Sequence, residues 1–310
     1  MKDKKVVFMG TPEFSVPVLE MLIDNTNVVL VVTQPDKEVG RHHELKATPI
    51  KECALKHNIE VYQPIKIRNE YEYILEKNPD VIITCAYGQI IPSILLDTPK
   101  YNAINVHASL LPKLRGGSPL HKCIIDGYKE TGVTIMYMAP GMDDGDIITQ
   151  KSIKIEDTDN VGTIHDKLSI LGRDLLLETL PSIFNGTNGR TRQDENEVTF
   201  AYNIKREEEK LDFNEKAREV FNHIRGMYPF PVSYTTLNGE IIKICESKIG
   251  TKTSGTVGEI ISIYDNGIGV KCSDTEIIIT KLKPSGKKEM MARDFINGRG
   301  KDKLLGEKLC

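Results

Sequence analysis

The sequence VVFMGTPEF, residues 6–14, joins an apolar run to a glycine turn and the start of a helical pattern. Further short apolar runs occupy residues 28–33, 81–85, 104–106 and 133–137. Runs that are apolar nearly throughout are typical of strands buried on both faces of a mainly parallel sheet, because helices cover both faces of such a sheet. The alternation of these runs with helical patterns predicts a doubly wound α/β domain at the start of the chain.

Helical periodicity fills the gaps between these predicted strands. Pro17 and Pro49 fit the first turn of a helix, where a missing N–H costs little. Gly10 is the one glycine of the GxGxxG fingerprint present after the first strand, so we expect no dinucleotide cofactor and interpret Gly10 as a tight turn or a purely structural glycine. The predicted helices of this domain span residues 16–23, 49–57, 70–77 and 160–184.

A second domain is predicted beyond residues 185–197, because this stretch, NGTNGRTRQDENE, has the composition of a linker. After it, a helical pattern at residues 215–227 precedes five short strand patterns separated by turn sequences such as Asn238-Gly239. Five short strands predict a small β-barrel of the OB type. The predicted strands span residues 232–237, 240–244, 256–264, 268–271 and 276–282.

Length and composition agree with two domains, which we assign to residues 1–189 and 206–310, since 310 residues exceed the usual size of a single domain. The start, MKDKKVVFMG, lacks the long apolar region of a signal peptide, and no run of eighteen apolar residues occurs, so we expect a soluble cytoplasmic protein with no membrane contact. The six cysteines form no CxxC pair and no zinc-type spacing, which favours reduced structural thiols and no metal.

The formal net charge is −3, but residues 277–310 carry nine basic and four acidic side chains, a net charge of +5. A basic tail is compatible with phosphate binding and equally with solubility alone. Charge by itself therefore identifies no partner.

The segment NAINVHASLLPKLRGGSPL, residues 102–120, contains the first candidate for chemistry. Asn105 and His107 are two residues apart at the end of a predicted buried strand, so both side chains point to one side of the sheet. The carboxyl ends of strands border the ligand crevice in open α/β sheets, which favours a substrate site there. An amide and an imidazole N–H are the donors that stabilise an oxyanion in acyl transfer. The alternative is structural: Asn105 caps the strand and His107 is a hydrogen-bonded core histidine.

The second candidate is MAPGMDDGDII, residues 138–148, where three acids and two glycines follow a predicted buried strand. A carboxylate beside His107 would hold the imidazole tautomer and accept or relay a proton. Asp143 is the favoured acid, with Asp144 and Asp146 as competitors. A turn that binds nothing, or one that binds a divalent cation, remains an alternative for so glycine-rich an acidic segment.

Residues 34–48, QPDKEVGRHHELKAT, form a third candidate, a polar loop with Arg41, His42, His43 and Lys46. Such a loop can contact a phosphodiester backbone. The adjacent histidines do not predict a metal site, because neighbouring side chains in a loop diverge and no third ligand is suggested. A solvated loop without a ligand is the alternative.

Seven segments together closely resemble the folate-dependent formyltransferases that act on methionyl-tRNA. The most specific, NVHASLLPKLRGGSP, is shared with other folate-dependent formyltransferases, whereas the PFP and SGKK segments are similar to the C-terminal domain of the tRNA-specific members. The resemblance extends nearly end to end. The segments are GTPEFSVPVLEML, TQPDKEVGR, NVHASLLPKLRGGSP, GMDDGD, REEEKLDF, RGMYPFPVSY and LKPSGKKEMMARDF.

This resemblance implies direct transfer of a formyl group from 10-formyltetrahydrofolate to the α-amino group of initiator methionyl-tRNA, without a covalent enzyme intermediate. It implies that residues 1–189 bind the folate and that residues 206–310 bind tRNA. The implied catalytic residues are Asn105, His107 and Asp143. The implied folate contacts are Ser109, Leu110, Leu111 and Pro112, and the implied tRNA contacts are Arg41, Lys287 and Lys288.

The chain departs from the family pattern at three places. The usual Leu-Asp-Thr-Gly-Asp reads Met-Asp-Asp-Gly-Asp at residues 142–146, which adds a charge beside the predicted catalytic acid. His42, His43 and Glu44 stand where lysines are common, which predicts a shallower salt dependence of RNA binding. The segment at residues 203–204 is shortened.

Three other functions are compatible with parts of the sequence. A formyltransferase for an amino sugar or glycinamide ribonucleotide would share the Asn, His and Asp, but the basic C-terminal domain argues against it. A non-catalytic RNA-binding protein would need aromatic residues on a basic face, and only Tyr228, Phe230 and Tyr234 cluster. A formyl-folate hydrolase would use water as the nucleophile. We expect a monomer.

Overall fold

The structure, a computed structural model, describes residues 1–39 and 44–310. Before residue 190, strands and helices alternate along most of the chain. The strands are β1 Lys5–Gly10, β2 Asn27–Val32, β3 Lys37–Val39, β4 Glu44–Lys46, β5 Val61–Tyr62, β6 Val81–Cys85, β7 Ala103–His107, β8 Glu130–Tyr137 and β9 Ile147–Lys154. The helices are α1 Val16–Asn25, α2 Pro49–Lys56, α3 Glu72–Glu76, α4 Ser93–Asp97, α5 Pro119–Ile125 and α6 Val161–Asn185, with 3-10 turns at Glu13–Ser15 and Ile67–Asn69.

Seven of these strands form one sheet in the order β5-β2-β1-β6-β7-β8-β9. The pairs from β5 to β7 are parallel, and β8 runs antiparallel to β7. All five residues of β6 are buried, as expected for a strand covered on both faces. Pro49 opens α2 directly after Thr48, whose hydroxyl caps the helix by accepting from Lys51 N. The predicted doubly wound domain is confirmed. The run at residues 133–137 forms β8, which is antiparallel to β7, and the long β9 was not predicted.

The chain packs into two compact units, neither of which is one continuous stretch. The first contains Met1–Pro119, Thr131–Ile153 and His165–Tyr202. The second contains Leu120–Glu130, Lys154–Ile164 and Asn203–Cys310. The division into residues 1–189 and 206–310 remains a prediction about the functional domains.

The second unit contains an antiparallel sheet in the order β10-β11-β14-β13-β12, with a short β15 paired to β14. Its apolar core includes Val220 and Ile224 of the preceding helix together with Ile244, Ile277 and Leu282 of the sheet. The elements are α7 Ala217–Met227, β10 Tyr234–Leu237, β11 Glu240–Ile249, β12 Ile260–Tyr264, β13 Gly267–Lys271, β14 Glu276–Pro284, β15 Met290–Met291, α8 Ala292–Arg299 and α9 Lys301–Leu304.

The last residues of the chain join the two edge strands of this sheet. Cys310 N donates to Thr236 O on β10 at 3.0 Å, and Leu309 N donates to Gly258 O, just before β12, at 2.8 Å. The chain end therefore satisfies backbone groups at both edges, which an open sheet would leave unpaired. The predicted fold class, an α/β domain followed by a small β domain, is confirmed. The two terminal helices α8 and α9 were not predicted.

Candidate active site

The candidate site lies at the carboxyl ends of the neighbouring parallel strands β6 and β7. Thr84 on β6 is in register with Asn105 on β7, and the Thr84 hydroxyl donates to Asn105 Oδ1 at 2.8 Å. Because this bond occupies the amide oxygen, the NH₂ group of Asn105 is directed elsewhere. Among the residues that the structure describes, this NH₂ group has no hydrogen-bond acceptor. It is therefore available to a ligand.

His107 lies two residues further along β7, on the same side of the sheet as Asn105. Its side chain is buried, with 5% of the residue exposed. The ring Nε2 lies 3.2 Å from the carbonyl oxygen of Leu114. A carbonyl only accepts, so Nε2 carries a proton, and Nδ1 is the nitrogen left for other partners.

Asp143 lies on the Nδ1 side of the ring, with its Oδ2 3.7 Å from that nitrogen. The same oxygen accepts from Gly116 N at 2.9 Å. Asp143 has a φ of +49°, a left-handed conformation that few residues other than glycine adopt. Of the competing acids, Asp144 is exposed and Asp146 pairs with Arg190 at 3.1 Å. The structure thus places Asp143 beside the imidazole.

A pocket of about 260 Å³ opens directly at this site, and both Asn105 and Asp143 line it. Ligand sites for drug-sized molecules typically measure about 300–1,000 Å³, so this pocket suits one end of a larger ligand. Most of its wall is apolar, with a few polar groups, which is the usual make-up of a ligand site. The other lining residues are Gln89, Ile90, Ile91, Met136, Met138, Ala139, Pro140, Gly141 and Met142.

A second groove, of about 510 Å³, adjoins the pocket because Gln89 and Ile90 line both. Its other walls come from residues 66–69, which contribute the exposed cations Lys66 and Arg68. Ile90 is 73% exposed between the two spaces. A ligand that fills the pocket with an apolar end can therefore continue into a positively charged groove.

A cysteine also ends a strand at this edge of the sheet. Burial raises the pKa of the Cys85 thiol to about 12, so the thiol is uncharged near neutral pH. An uncharged, fully buried thiol is a poor nucleophile. The site therefore offers hydrogen-bond donors and a carboxylate rather than a thiolate.

The predicted folate contacts follow β7 directly but are not among the residues that line the pocket. Ser109 is fully buried, and its hydroxyl donates to Lys113 O at 2.7 Å. Leu111 is also buried, and its backbone N–H donates to Thr134 Oγ1 at 3.1 Å. The contact of Ser109, Leu110, Leu111 and Pro112 with folate remains a prediction.

Most of the pocket wall was not predicted from the sequence. Residues 89–91 follow the end of β6, and the rule that ligands bind beyond the carboxyl ends of strands applies to them as well as to Asn105. In residues 138–143 only the acids were candidates for chemistry from the sequence. Met138 and Met142, which line the pocket, carry no chemical motif.

The predicted tRNA contacts lie elsewhere in the chain. Arg41, with His42 and His43, falls outside the described residues. Lys287 and Lys288 lie in the exposed turn that follows β14.

Across residues 1–39 and 44–310, no group of three or more His, Cys, Asp or Glu side chains is arranged to hold a metal ion. No helix in the same ranges is long and apolar enough to span a membrane.

Comparison with known proteins gives family matches for both parts of the chain. A family model described as formyl transferase matches residues 4–180, and one described as formyl transferase, C-terminal domain, matches residues 203–300. A methionyl-tRNA formyltransferase of Staphylococcus aureus (strain MW2) is 50% identical over 309 residues, which cover 98% of this chain and 99% of the relative. One of Geobacillus sp. (strain WCH70) is 51% identical over 310 residues, 98% of each chain.

Solved structures share the fold at much lower identity. The sugar 3N-formyl transferase WlaRD, solved in the presence of dTDP and 5-N-formyl-THF, has a TM-score of 0.66 and 20% identity over 93% of this chain and 100% of its own. HypX from Aquifex aeolicus, solved with tetrahydrofolic acid, has a TM-score of 0.63 and 14% identity over 96% of this chain and 47% of its own. At such identities the likeness shows the fold alone.

Proposed function

Because the chain belongs to the methionyl-tRNA formyltransferase family, we propose that Asn105, His107 and Asp143 perform its reaction at the pocket beside β7. The resemblance predicted from the sequence is confirmed. The enzyme transfers the formyl group of 10-formyltetrahydrofolate to the α-amino group of initiator methionyl-tRNA, giving formylmethionyl-tRNA and tetrahydrofolate for translation initiation. The observation that carries the residue assignment is that Asn105 and Asp143 line one pocket while Asp143 approaches His107.

The reaction begins with attack of the amine lone pair on the formyl carbon. A free α-amine has a pKa of about 7.7–8.0, and the ester of aminoacyl-tRNA lowers it further, so neutral nucleophile is available near pH 7. The carbonyl oxygen then becomes an oxyanion. The unpaired NH₂ group of Asn105 donates to this oxygen. When the carbonyl re-forms, the carbon–N10 bond breaks and N10 takes up the proton that the attacking amine has lost.

His107 and Asp143 accept and relay the proton that the attacking amine loses. The Nε2 of His107 is held by Leu114 O, so the ring acts through Nδ1, on the side of Asp143. Asp143 keeps an oxygen, Oδ1, free of any hydrogen bond to the described residues, and this oxygen can accept the amine proton. When the pair is protonated, the imidazolium strengthens the stabilisation of the oxyanion. Binding and orientation at this edge supply the rest of the rate enhancement.

The pocket is proposed to hold the pterin and formyl end of the folate, and Ser109, Leu110, Leu111 and Pro112 are proposed to contact the folate. The adjoining groove then receives the remainder of the molecule. The glutamate carboxylates at that end of a folate are anionic, which suits Lys66 and Arg68.

Formylation kinetics of matched variants test this division of roles. His107→Ala and Asp143→Asn are expected to lower kcat by about a hundredfold to a thousandfold, because each removes a group that acts in the transition state. Arg68→Ala should instead raise the KM for formyl-folate with kcat retained, because its contact is the same in ground and transition states. Wild-type turnover by either of the first two variants would refute the catalytic assignment.

The recognition of tRNA is proposed to involve Arg41, Lys287 and Lys288, with residues 206–310 as the tRNA-binding domain and residues 1–189 as the catalytic one. The match of residues 203–300 to the C-terminal domain of the family supports this division. We also propose that the enzyme acts in the cytoplasm without membrane contact, since its tRNA substrate is aminoacylated and used there. We propose that it is a monomer. Sedimentation velocity at micromolar concentration tests this oligomeric state, and a mass well above 34.8 kDa would contradict the monomer.

A further inference from the structure

The segment at residues 191–201, which begins inside the predicted linker of residues 185–197, is bound to both loops that carry the proposed active site. At one end, Thr191 and Ile147 exchange two backbone hydrogen bonds of 2.8 and 2.9 Å, where β9 begins. At the other end, Arg115 N donates to Thr199 O at 2.9 Å and Ala201 N donates to Arg115 O at 2.8 Å. The segment thus crosses from the acidic turn to the loop after His107.

Between these two attachments, Gln193 is inserted into the acidic turn. It is 4% exposed. Its Nε2 donates to the carbonyl oxygen of Asp143 at 2.7 Å and to that of Gly145 at 2.8 Å. Both amide hydrogens are therefore used on the backbone of the turn that carries the proposed catalytic acid. The two carbonyls lie on either side of Asp144, so the side chain fixes the turn at two points.

Arg115 fixes Gln193 in turn. The buried guanidinium donates from Nε to Gln193 Oε1 at 3.0 Å, which leaves the amide only one orientation compatible with all three bonds. Its Nη2 also pairs with Glu195 Oε1 at 2.9 Å, on the same segment. The side chains of Gln193 and Glu195 thus hold the guanidinium in place. The guanidinium in turn fixes the amide of Gln193 so that the NH₂ group of this amide points toward the turn.

Three consecutive residues, 114–116, hold the proposed catalytic pair. The Leu114 carbonyl faces His107 Nε2, the Arg115 side chain orients Gln193, and the Gly116 N–H holds the Asp143 carboxylate. Asp143 is therefore fixed through its side chain by Gly116 and through its backbone by Gln193. A left-handed φ at a non-glycine residue persists only where the surroundings hold it, and Gln193 provides that support.

We propose that Gln193, oriented by Arg115, is a positioning residue for formyl transfer that keeps the Asp143 carboxylate beside His107. The inference rests on the proposed function, since it assumes that Asp143 is catalytic. It adds a residue that does not line the pocket and lies in a segment with the composition of a linker. A misplacement of about 1 Å in a catalytic group can cost about a hundredfold in rate.

The test variant is Gln193→Glu, which preserves the volume and can still pair with Arg115. A carboxylate cannot donate to the Asp143 and Gly145 carbonyls, so the turn loses both attachments. We expect kcat to fall about 10- to 100-fold with the KM for formyl-folate close to that of the wild type, and the thermal midpoint to fall because two buried carbonyls lose their donor. Gln193→Ala is the second variant. Glu197→Gln, which alters an exposed residue of the same segment, is the control and should keep wild-type kcat.

A double-mutant cycle separates positioning from a general structural role. In an Asp143→Ala background, single-turnover kinetics should show less than about a twofold further loss from Gln193→Glu, because the backbone being positioned no longer carries the carboxylate. Full additivity would overturn the inference, as would wild-type kcat in both Gln193 variants. If Asp143→Ala alone keeps wild-type kcat, the proposed function fails. If it loses activity while Gln193→Glu does not, the positioning role alone fails.

Discussion

Asp143 in the first unit and Glu276 in the second are both carboxylates set against a β-sheet, but they are paired very differently. Asp143 borders a pocket with 22% of its side chain exposed, and one of its oxygens accepts from a backbone N–H. Glu276 is fully buried, and both of its oxygens accept: Oε2 from Ser262, and Oε1 from Tyr264 at 2.7 Å and from Lys252 N at 3.3 Å. Asp143 can therefore still accept a hydrogen bond from a ligand, whereas donors of the protein already occupy both oxygens of Glu276.

The surroundings of the two residues reinforce the difference. Gly250 and Gly269 lie so close to Glu276 that a Cβ on Gly250 would be 2.4 Å from Glu276 Cγ, and one on Gly269 would be 2.2 Å from Oε2. These glycines make the space that the carboxylate fills. Asp143 instead faces open volume. A buried acid is thus a candidate for catalysis when it keeps unused lone pairs at a cavity, and a structural group when its neighbours occupy them.

The largest expected effect lies on the pocket side of this comparison. Asn105→Ala should lower kcat about a hundredfold to a thousandfold, because one oxyanion donor is removed. Thr84→Val should have a smaller effect, about tenfold, because the amide remains but loses the bond that orients it. Steady-state formylation assays measure both. An equal loss in the two variants would indicate that Thr84 does more than orient Asn105.

The next largest effect is on the free energy of unfolding, with catalysis unchanged. Glu276→Ala should lower the free energy of unfolding by about 3 kcal/mol, because the Ser262 hydroxyl, the Tyr264 hydroxyl and the Lys252 N–H each lose a buried acceptor, at about 1 kcal/mol for each hydrogen bond. The kcat per folded molecule should stay at the wild-type value. Chemical denaturation followed by assays in dilute denaturant checks this. A specific loss of kcat without a loss of stability would break the distinction between the two carboxylates.

A smaller effect is expected at the exposed turn after β14, where the charges of Lys287 and Lys288 face solvent. Lys287→Ala with Lys288→Ala should weaken binding of methionyl-tRNA and lower the slope of log affinity against log salt by about two, one for each phosphate that a lysine no longer neutralises. Lys56→Ala, at an exposed position of α2, serves as the control. An unchanged salt slope would remove these lysines from the RNA-binding surface.

The smallest effect is a pH dependence of the second unit. Burial lowers the pKa of His121 and of His223 below the usual value of about 6.5. As the pH falls below that value, the unfolded chain binds more protons than the folded one, so stability decreases with falling pH. His223→Gln should reduce this loss between pH 6.5 and 5, whereas His57→Gln, at an exposed position, should not. Thermal midpoints across that range provide the measurement.

Much of this architecture could be predicted from local patterns. The apolar runs that became β1, β2, β6 and β7 were identifiable because a strand buried on both faces is apolar at nearly every position. The long helix α6 was predicted within one residue at each end, from its periodicity. Turn sequences located the strands of the second unit. β9, with its exposed positions, and the terminal helices α8 and α9 carried weaker patterns and were not identified.

The site was predicted less completely. Asn105 and His107 could be paired because they are two residues apart on one strand. The choice among Asp143, Asp144 and Asp146 depended on the family resemblance, since residues so close in a turn differ only in the direction of their side chains. Gln193 could not have been selected, because its segment is polar and rich in Asn, Gly and charged residues, as a linker is.

Periodicity and spacing are local properties of the chain, and they predict the buried segments, the succession of strands and helices, and an amide and an imidazole at the end of one strand. Three features appear only once the chain is folded: the acid that approaches His107, the walls that close the pocket, and the binding of residues 191–201 to the catalytic turn. These outcomes depend on hydrogen bonds between segments about 30 to 80 residues apart. Pairing at such separations is set by packing of the whole unit and leaves no local pattern to detect.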